Sequence, residues 1–248
     1  MSVARAAASG RLRFPRRVEP ELLDELPAED PRAVRSRRDL KRVNGLMGNA
    51  SILLGELDRI VDAAELPHLV ELGAGDGSLM LRMAQRRSRQ WAGMRLTLLD
   101  RQPIVSAVTL AGFNDLGWHV DVAAVDVFDW LVESRAARAE CVIANLFVHH
   151  FADERLEQLL HGIAQRAQAF VCLEPRRSAV ALVGSHLLGA IGCNAITRHD
   201  AVLSVHAGFR DQELTGHWPR SSATTRAWRV RESAAGLFGH LFVAGRST

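Results

Sequence analysis

The chain has 248 residues, which is enough for one α/β domain with an extension or for two small domains. Its 31 basic and 28 acidic residues leave a formal net charge of only +3, which argues against nucleic acid as a partner. The longest apolar stretch, residues 179–192, is shorter than the roughly 20 residues that span a bilayer. The cysteines Cys141, Cys172 and Cys193 lack metal-ligand spacing, so we expect a cytoplasmic protein with reduced thiols and no membrane partner.

The N-terminal quarter of the chain is predicted to contain an arm and a helical extension. Residues 1–20 include five arginines and little apolar content, which predicts a disordered basic arm. Apolar residues at helical spacing then predict helices over 21–26, 32–45 and 50–64. We expect the extension, residues 21–66, to act as a lid and as one wall of a substrate pocket on the main domain, residues 67–248.

From residue 67 onward, short runs of β-forming residues alternate with longer helical runs. The predicted strands are 68–72, 95–99, 119–125, 141–147, 169–173, 227–232 and 240–244. The predicted helices are 78–87, 103–113, 128–135, 153–167, 178–192 and 210–217. This alternation predicts right-handed βαβ units and a parallel sheet that is covered on both faces, ending in an antiparallel pair.

The most informative stretch is Val-Glu-Leu-Gly-Ala-Gly-Asp-Gly, residues 70–77, followed by Asp100 at the end of the next strand. Glycines let a ligand approach the backbone, and a carboxylate at a strand end can accept hydrogen bonds from a ribose. The dinucleotide fingerprint G-x-G-x-x-G would need a glycine at Ser78. The pattern therefore favours a nucleoside site without a pyrophosphate. The alternative is a tight turn between strand and helix with no ligand.

The G-x-G-x-G form resembles motif I of the class I S-adenosylmethionine (SAM)-dependent methyltransferases, over residues 66–246. The resemblance implies a Rossmann-like, mostly parallel seven-stranded sheet in the order 3-2-1-4-5-7-6, with SAM as the cofactor. The residue after the third strand, Asp126, falls where motif II of that family meets the adenine, although an aspartate there also suits a helix N-cap. The cofactor-binding residues that the resemblance implies are Glu71, Gly73, Ala74, Gly75, Gly77, Asp100, Arg101, Asp126, Val127, Asn145 and Leu146.

The fourth strand ends in Asn-Leu-Phe-Val-His-His-Phe, residues 145–151, which is similar to the ending in small-molecule methyltransferases of the ubiquinone/menaquinone-like group. Asn145 is not followed by proline, unlike in N6-adenine and glutamine methyltransferases, which argues against those acceptors. His149 and His150 are the predicted catalytic residues, because an imidazole can take a proton near pH 7. The alternative is that they cap a helix and pack in the core. No metal site is predicted.

The sequence thus predicts an enzyme that transfers a methyl group from SAM to an oxygen or carbon of a small molecule, such as a phenolic or polyketide-like metabolite. The alternatives are an RNA methyltransferase and a non-catalytic SAM-binding subunit. The sequence leaves open whether the protein is a homodimer.

Overall fold

The computed structural model describes residues 14–60, 67–133, 139–219 and 228–246. Seven strands form one sheet in the order β3-β2-β1-β4-β5-β7-β6, which confirms the predicted order. The first five strands are parallel, and β7 runs antiparallel to both β5 and β6. The strands are β1 (His68–Leu72), β2 (Arg95–Asp100), β3 (His119–Ala124), β4 (Ala139–Asn145), β5 (Ala167–Pro175), β6 (Trp228–Ala235) and β7 (Gly239–Arg246).

Helices lie on both faces of the sheet. In chain order they are α1 (Leu22–Glu25), α2 (Pro31–Met47), α3 (Asn49–Ile60), α4 (Ser78–Arg86), α5 (Ala107–Asp115), α6 (Val127–Val132), α7 (Asp153–Arg166), α8 (Ala179–His186), α9 (Ala195–Ala207) and α10 (Glu213–His217). Two 3₁₀ turns, Val148–His150 and Leu187–Ile191, follow β4 and α8. Within the described residues, no helix has the length and apolar character that crossing a membrane requires.

The core has two layers because side chains of a strand alternate between the faces of the sheet. Val70 and Leu72 of β1 pack in a cluster with α6 and α7, and Leu69 packs on the other face with α3, α4 and α5. The central strands β1 and β5 are buried along most of their length, as expected for strands that helices cover on both sides.

Several boundaries differ from the predicted ones. β4 ends at Asn145 rather than at residue 147, because Leu146 adopts a left-handed backbone conformation with φ 53° that breaks the strand. The helix predicted over 178–192 is α-helical only to His186. α9 was not predicted, since its buried face includes the polar residues Thr197 and Asp200 rather than an apolar stripe. Predicted element ends at residues 61–64, 134–135 and 227 lie outside the described residues.

The extension is fastened to α9 by polar contacts. The backbone N–H groups of Leu22 and Leu23 donate to the two carboxylate oxygens of Asp200, over 3.0 and 2.9 Å. The buried hydroxyls of Ser36 and Thr197 lie 2.8 Å apart, which joins α2 to the same helix. These contacts place α1 and α2 beside the carboxyl ends of the parallel strands, where ligands of this kind of sheet bind.

Residues 14–20 have no helix or strand, yet they lie against the domain, and in this they differ from the predicted disordered arm. The Arg16 guanidinium donates to the carbonyls of Ala207, Phe151 and His149 over 2.7, 2.7 and 3.1 Å. It also packs 4.4 Å from the ring centre of Phe209. One half-buried arginine therefore holds this segment in place. The rest of the predicted arm, residues 1–13, lies outside the described residues.

Candidate functional site

The loop after β1 is shaped by three glycines with left-handed backbone conformations. Gly73, Gly75 and Gly77 have φ values of 64°, 57° and 73°. A Cβ on Gly73 would collide with the ring of Phe147, and a Cβ on Gly77 would lie 2.7 Å from Leu98. A Cβ on Gly75 would have no atom within 4 Å. Gly73 and Gly77 are thus needed for packing, whereas Gly75 borders open space.

The carboxylate of Asp100 holds this loop. Its Oδ2 accepts a hydrogen bond from the backbone N–H of Gly75 over 2.8 Å, and its Oδ1 accepts one from Gln102 over 2.9 Å. A carboxylate offers about four acceptor positions, so two stay free for a ligand. Asp100 therefore has a role in the protein itself, besides the role of ribose acceptor that the sequence predicted.

A cavity of about 520 Å³ lies between this loop and the extension, within the range usual for small-molecule sites. Of the predicted site residues, Gly77 alone is absent from its lining. The predicted residues that line it are Glu71, Gly73, Ala74, Gly75, Asp100, Arg101, Asp126, Val127, Asn145, Leu146, His149 and His150. The structure therefore brings together residues from four strand ends, as predicted for the carboxyl edge of a parallel sheet.

Glu71 is a buried acid at the floor of the cavity. Burial raises its pKa well above the usual range, and the charges of Asp76 and Asp100 raise it further. Its Oε2 has no hydrogen-bond partner among the described residues. Asp76, in contrast, forms an ion pair with Lys41 of α2. A buried carboxyl group without a partner is costly, so Glu71 is suited to a ligand that brings a cationic donor.

Asp126 caps α6, because its Oδ1 accepts a hydrogen bond from the backbone N–H of Phe128 over 2.8 Å. The helix-capping interpretation is therefore right for one of its oxygens. The ring of Phe128 is covered by the guanidinium of Arg155, 3.5 Å from the ring centre, and by the edge of Phe151. Phe128 does not line the cavity, so the structure does not place it against a ligand.

The end of β4 is connected to the extension and to β5. Asn145 Oδ1 accepts a hydrogen bond from the side-chain amide of Asn49 over 2.9 Å. The left-handed Leu146 donates its N–H to the carbonyl of Leu173 over 2.9 Å. Left-handed conformations of branched residues are uncommon and cluster at functional sites. Here the bend turns the next backbone N–H groups toward the end of β5.

Those N–H groups converge on Glu174, which is fully buried. Its oxygens accept hydrogen bonds from the backbone of Phe147, Val148 and His149 over 3.2, 2.9 and 3.2 Å. Its Oε2 also lies 2.7 Å from Nδ1 of the His149 ring. Successive N–H groups of this kind form a pocket for negative charge. Glu174 thereby fixes the ring of His149.

His149 lies between two carboxylates. Its Nε2 is 3.4 Å from Oε1 of Glu21, which also accepts a hydrogen bond from the hydroxyl of Ser204. Burial disfavours the charged ring, but the hydrogen bond with Glu174 and the nearby carboxylate of Glu21 raise the pKa of His149 to about 9. In the same way, burial opposes the charge of Glu21, but His149 lowers the pKa of that carboxyl to about 2. The ring of His149 is thus enclosed between two carboxylates, those of Glu174 and Glu21.

His150 has the opposite character. Burial and the neighbouring charge of His149 lower its pKa, so its imidazole is neutral at pH 7. Its Nδ1 lies 3.4 Å from Oδ2 of Asp24, and burial raises the pKa of that carboxyl. The rings of His149 and His150 lie 4.3 Å apart between centres. The structure thus separates two histidines that the sequence could not tell apart.

Glu21, His149 and His150 also offer donor atoms within 4.8 Å of one another, a spacing that a metal ion can use. Nδ1 of His149 already lies 2.7 Å from Glu174, so we assign this cluster to proton chemistry. The sequence did not single out Glu21, Asp24 or Glu174. Glu174 carries a signal that could have been noticed, because it stands at the carboxyl end of a parallel strand, as Asp100 does.

The comparisons with known proteins are structural. The sequence matches no family model and no curated protein. An O-methyltransferase family protein from Burkholderia thailandensis is similar with a TM-score of 0.57 at 16% identity, over 89% of this chain and 61% of that chain. The mitomycin 7-O-methyltransferase MmcR is similar with a TM-score of 0.57 at 18% identity, over 91% of this chain and 60% of that chain. The plantazolicin methyltransferase BamL is similar with a TM-score of 0.59 at 10% identity, over 91% of this chain and 93% of that chain.

The chain has the fold of the class I methyltransferases. It spans about 60% of the length of the first two of these relatives and nearly all of the third. BamL was solved in complex with a triazolic desmethylPZN analog and SAH. At these identities the likeness establishes the fold alone.

Proposed function

We propose that the protein is a SAM-dependent methyltransferase that acts on a hydroxyl oxygen or an acidic carbon of a small molecule. The observation that carries this proposal is the division of one cavity into two halves. One half has the glycine loop with Glu71 and Asp100, and the other has a neutral histidine, His150, beside Asp24. The first half suits an amino-acid nucleoside, and the second suits an acceptor that must lose a proton.

In the cofactor half, each group of SAM finds a matching residue of the chain. The free acceptor positions of Asp100 suit the two ribose hydroxyls, and the unpartnered Oε2 of Glu71 suits the ammonium of the methionine part. The open space at Gly75 leaves room for the ligand. The second oxygen of Asp126 and the backbone of Val127 suit the adenine edge. When bound, SAM supplies an activated methyl group on a sulfonium.

In the acceptor half, we assign the proton transfer to His150 rather than to both predicted histidines. Its neutral ring can take a proton from a phenol or enol, and Asp24 stabilises the resulting charge. His149 already holds a proton and faces a carboxylate on each side, so it is unsuited as a base. We assign it a positioning role, because it lies against the ring of His150 and fixes the turn that carries both residues.

The extension completes the site, because the N-cap residue Glu21, α1 and α2 contribute to the cavity wall, α1 with Asp24 and α2 with Leu40 and Lys41. Covering the cavity in this way excludes water and holds two reactants together, which are the main contributions that a protein can make to methyl transfer. The similarity of residues 145–151 to the ubiquinone/menaquinone-like group favours a phenolic or enolic acceptor within this class.

The test is a labelled-methyl assay with SAM against bacterial phenolic and polyketide-like extracts, with the products identified by mass spectrometry. His150→Gln should lower the turnover number by about 10²–10⁴-fold and remove the limb of the pH–rate profile due to the imidazole, with SAM affinity unchanged. His161→Gln, on the exposed face of α7, is the matched control. Failure of the wild-type protein to bind SAM would refute the function. An unchanged rate and pH profile in His150→Gln would refute the assignment of the base.

A further inference from the structure

An exposed apolar ridge runs along α8 and the 3₁₀ turn that follows it. The ridge consists of Val180, Val183, Leu187 and Ile191, which are 55%, 60%, 60% and 38% exposed. Their spacing places them on one side of the helical segment, while Ala181 and Ser185 are buried on the other side. Single exposed apolar side chains are common on protein surfaces, but a row of four on consecutive turns marks an interaction site.

The tip of the hairpin between β6 and β7 extends this apolar surface. The ring of Phe238 packs on Gly184 so closely that a Cβ there would lie 2.8 Å from the ring. The neighbouring residue, Leu237, is 66% exposed in the turn between the two strands. The helix ridge and the hairpin tip therefore stand side by side.

A second exposed ridge, on α2, is cationic. Arg35, Arg38 and Arg42 are exposed and follow one another at helical spacing. The two ridges meet where the Arg42 guanidinium donates to the carbonyl of Ile191 over 2.7 Å. Gly192 and the three arginines line one shallow groove at this junction.

The charge of this face is predominantly positive. Arg198 lies against Gly189 at the same end of the apolar ridge. From residue 178 to residue 199, which spans the apolar ridge, the chain has one arginine, Arg198, and no carboxylate. Among the described residues that line the groove, Glu29 is the exposed acid, since Asp39 is buried and accepts hydrogen bonds from Arg42 and from the backbone of Asn194.

We propose that this face docks on an anionic lipid bilayer. The apolar ridge and Leu237 would enter the boundary between headgroups and acyl chains, and the arginines of α2 would contact lipid phosphates. A surface with an apolar row beside a cationic row has the chemistry of a peripheral membrane site. In a two-fold dimer this surface would contact the same surface of a second copy, so the arginines of each copy would have no acidic partner there. The sequence predicted no membrane partner because it has no span, but docking requires only a surface.

The position of α2 connects this surface to the cavity. The opposite side of the same helix contributes Arg37, Leu40, Lys41 and Asn44 to the cavity wall. One helix therefore separates the docking face from the site of the proposed function. The docking proposal itself does not rest on methyl transfer.

The experiment is co-sedimentation of the full chain with vesicles of equal parts phosphatidylglycerol and phosphatidylcholine, and with vesicles of phosphatidylcholine alone. The wild-type protein should bind the anionic vesicles, and binding should weaken as salt rises from 0.1 to 0.5 M. Arg35→Gln with Arg38→Gln should weaken partitioning by about tenfold or more, because each arginine near such a surface contributes about fivefold. Val183→Ser with Leu187→Ser should weaken it to a similar degree.

Two matched double variants serve as controls. Arg89→Gln with Arg95→Gln makes the same change in charge at the other end of the sheet, and Val108→Ser with Val132→Ser removes two other exposed valines, 81% and 83% exposed. Both should bind vesicles as the wild type does. SAM titration and circular dichroism of every variant show that the fold is intact.

Three outcomes would overturn the proposal. The first is that the wild-type protein does not sediment with anionic vesicles. The second is that the control variants lose binding as much as the ridge variants do. The third is a wild-type dimer in analytical ultracentrifugation that becomes a monomer in Val183→Ser with Leu187→Ser, without vesicle binding, which would make the ridge an interface between copies of the chain. None of these outcomes bears on SAM binding, which tests the proposed function separately.

Discussion

Replacing His149 by asparagine should remove a pH-dependent part of the stability of the protein. In the folded protein the pKa of His149 is raised from 6.5 to about 9, because the hydrogen bond with Glu174 and the nearby carboxylate of Glu21 outweigh the effect of burial. Between these two pH values the folded protein holds a proton that the unfolded chain has released. The stabilisation is therefore fully present below pH 6.5, and it is lost as the pH rises through 9.

The size of the effect follows from the shift. A change of one pKa unit corresponds to about 1.4 kcal/mol, so the shift from 6.5 to about 9 contributes about 3 kcal/mol to the free energy of unfolding. Asparagine can still donate to Glu174 but carries no titrating proton. The absolute stability of the variant will also change, so the informative quantity is the slope of the free energy against pH.

The assay is urea unfolding of the wild type and of His149→Asn between pH 6 and pH 9, followed by circular dichroism. Burial raises the pKa of the Cys141 thiol to about 12, so its contribution begins as the pH approaches 9, and it is common to both proteins. Between pH 6 and pH 9 the free energy of unfolding of the wild type should fall by about 3 kcal/mol more than that of the variant. Equal slopes for the two proteins would show that His149 is not a buried cation, and its positioning role would have to be abandoned.

Three further predictions concern the cofactor half and the N-terminal segment. Asp100→Ala should weaken SAM binding by about ten- to a hundredfold in calorimetry, because two ribose hydroxyls and the loop lose their acceptor; unchanged affinity would refute the ribose assignment. Gly73→Ala should lower the melting temperature more than Gly75→Ala does, whereas Gly75→Ala should mainly weaken SAM binding. If Gly75→Ala lowered the melting temperature more and left SAM affinity unchanged, Gly75 would not border the ligand. Arg16→Ala should lower the free energy of unfolding by about 2 kcal/mol, since three carbonyls lose a donor. The control, Arg17→Ala, removes an exposed side chain and should change the free energy of unfolding by less than about 0.5 kcal/mol. Equal effects of the two substitutions would mean that the segment is not docked.

Much of the fold could be predicted from local sequence pattern. Strands of a parallel sheet are buried on both faces, so each one is a continuous apolar run that can be recognised without knowledge of its neighbours. The loop at residues 73–77 was equally visible, because three alternating glycines are needed for its left-handed backbone. Asp100 was found for the same reason, since it stands directly at the end of such a strand.

The helix α9 and the docking of residues 14–20 could not be predicted in this way. α9 buries polar groups such as Asp200, whose partners are backbone N–H groups of a distant segment. Arg16 donates to backbone carbonyls, and every residue has a carbonyl, so no side-chain pattern announces the contact.

The sequence alone determined which residues stand at the carboxyl ends of the strands, because strand ends follow from local periodicity. The order of the strands came from the resemblance to the class I methyltransferases. The tertiary structure decided what His149 and His150 can do, because their protonation depends on Glu21, Asp24 and Glu174, which come from separate parts of the chain. Adjacent in sequence and similar in chemistry, the two rings differ because one is enclosed by two carboxylates and the other adjoins the resulting cation. Electrostatic effects of this size arise only where folding has removed water and fixed the distances between charges.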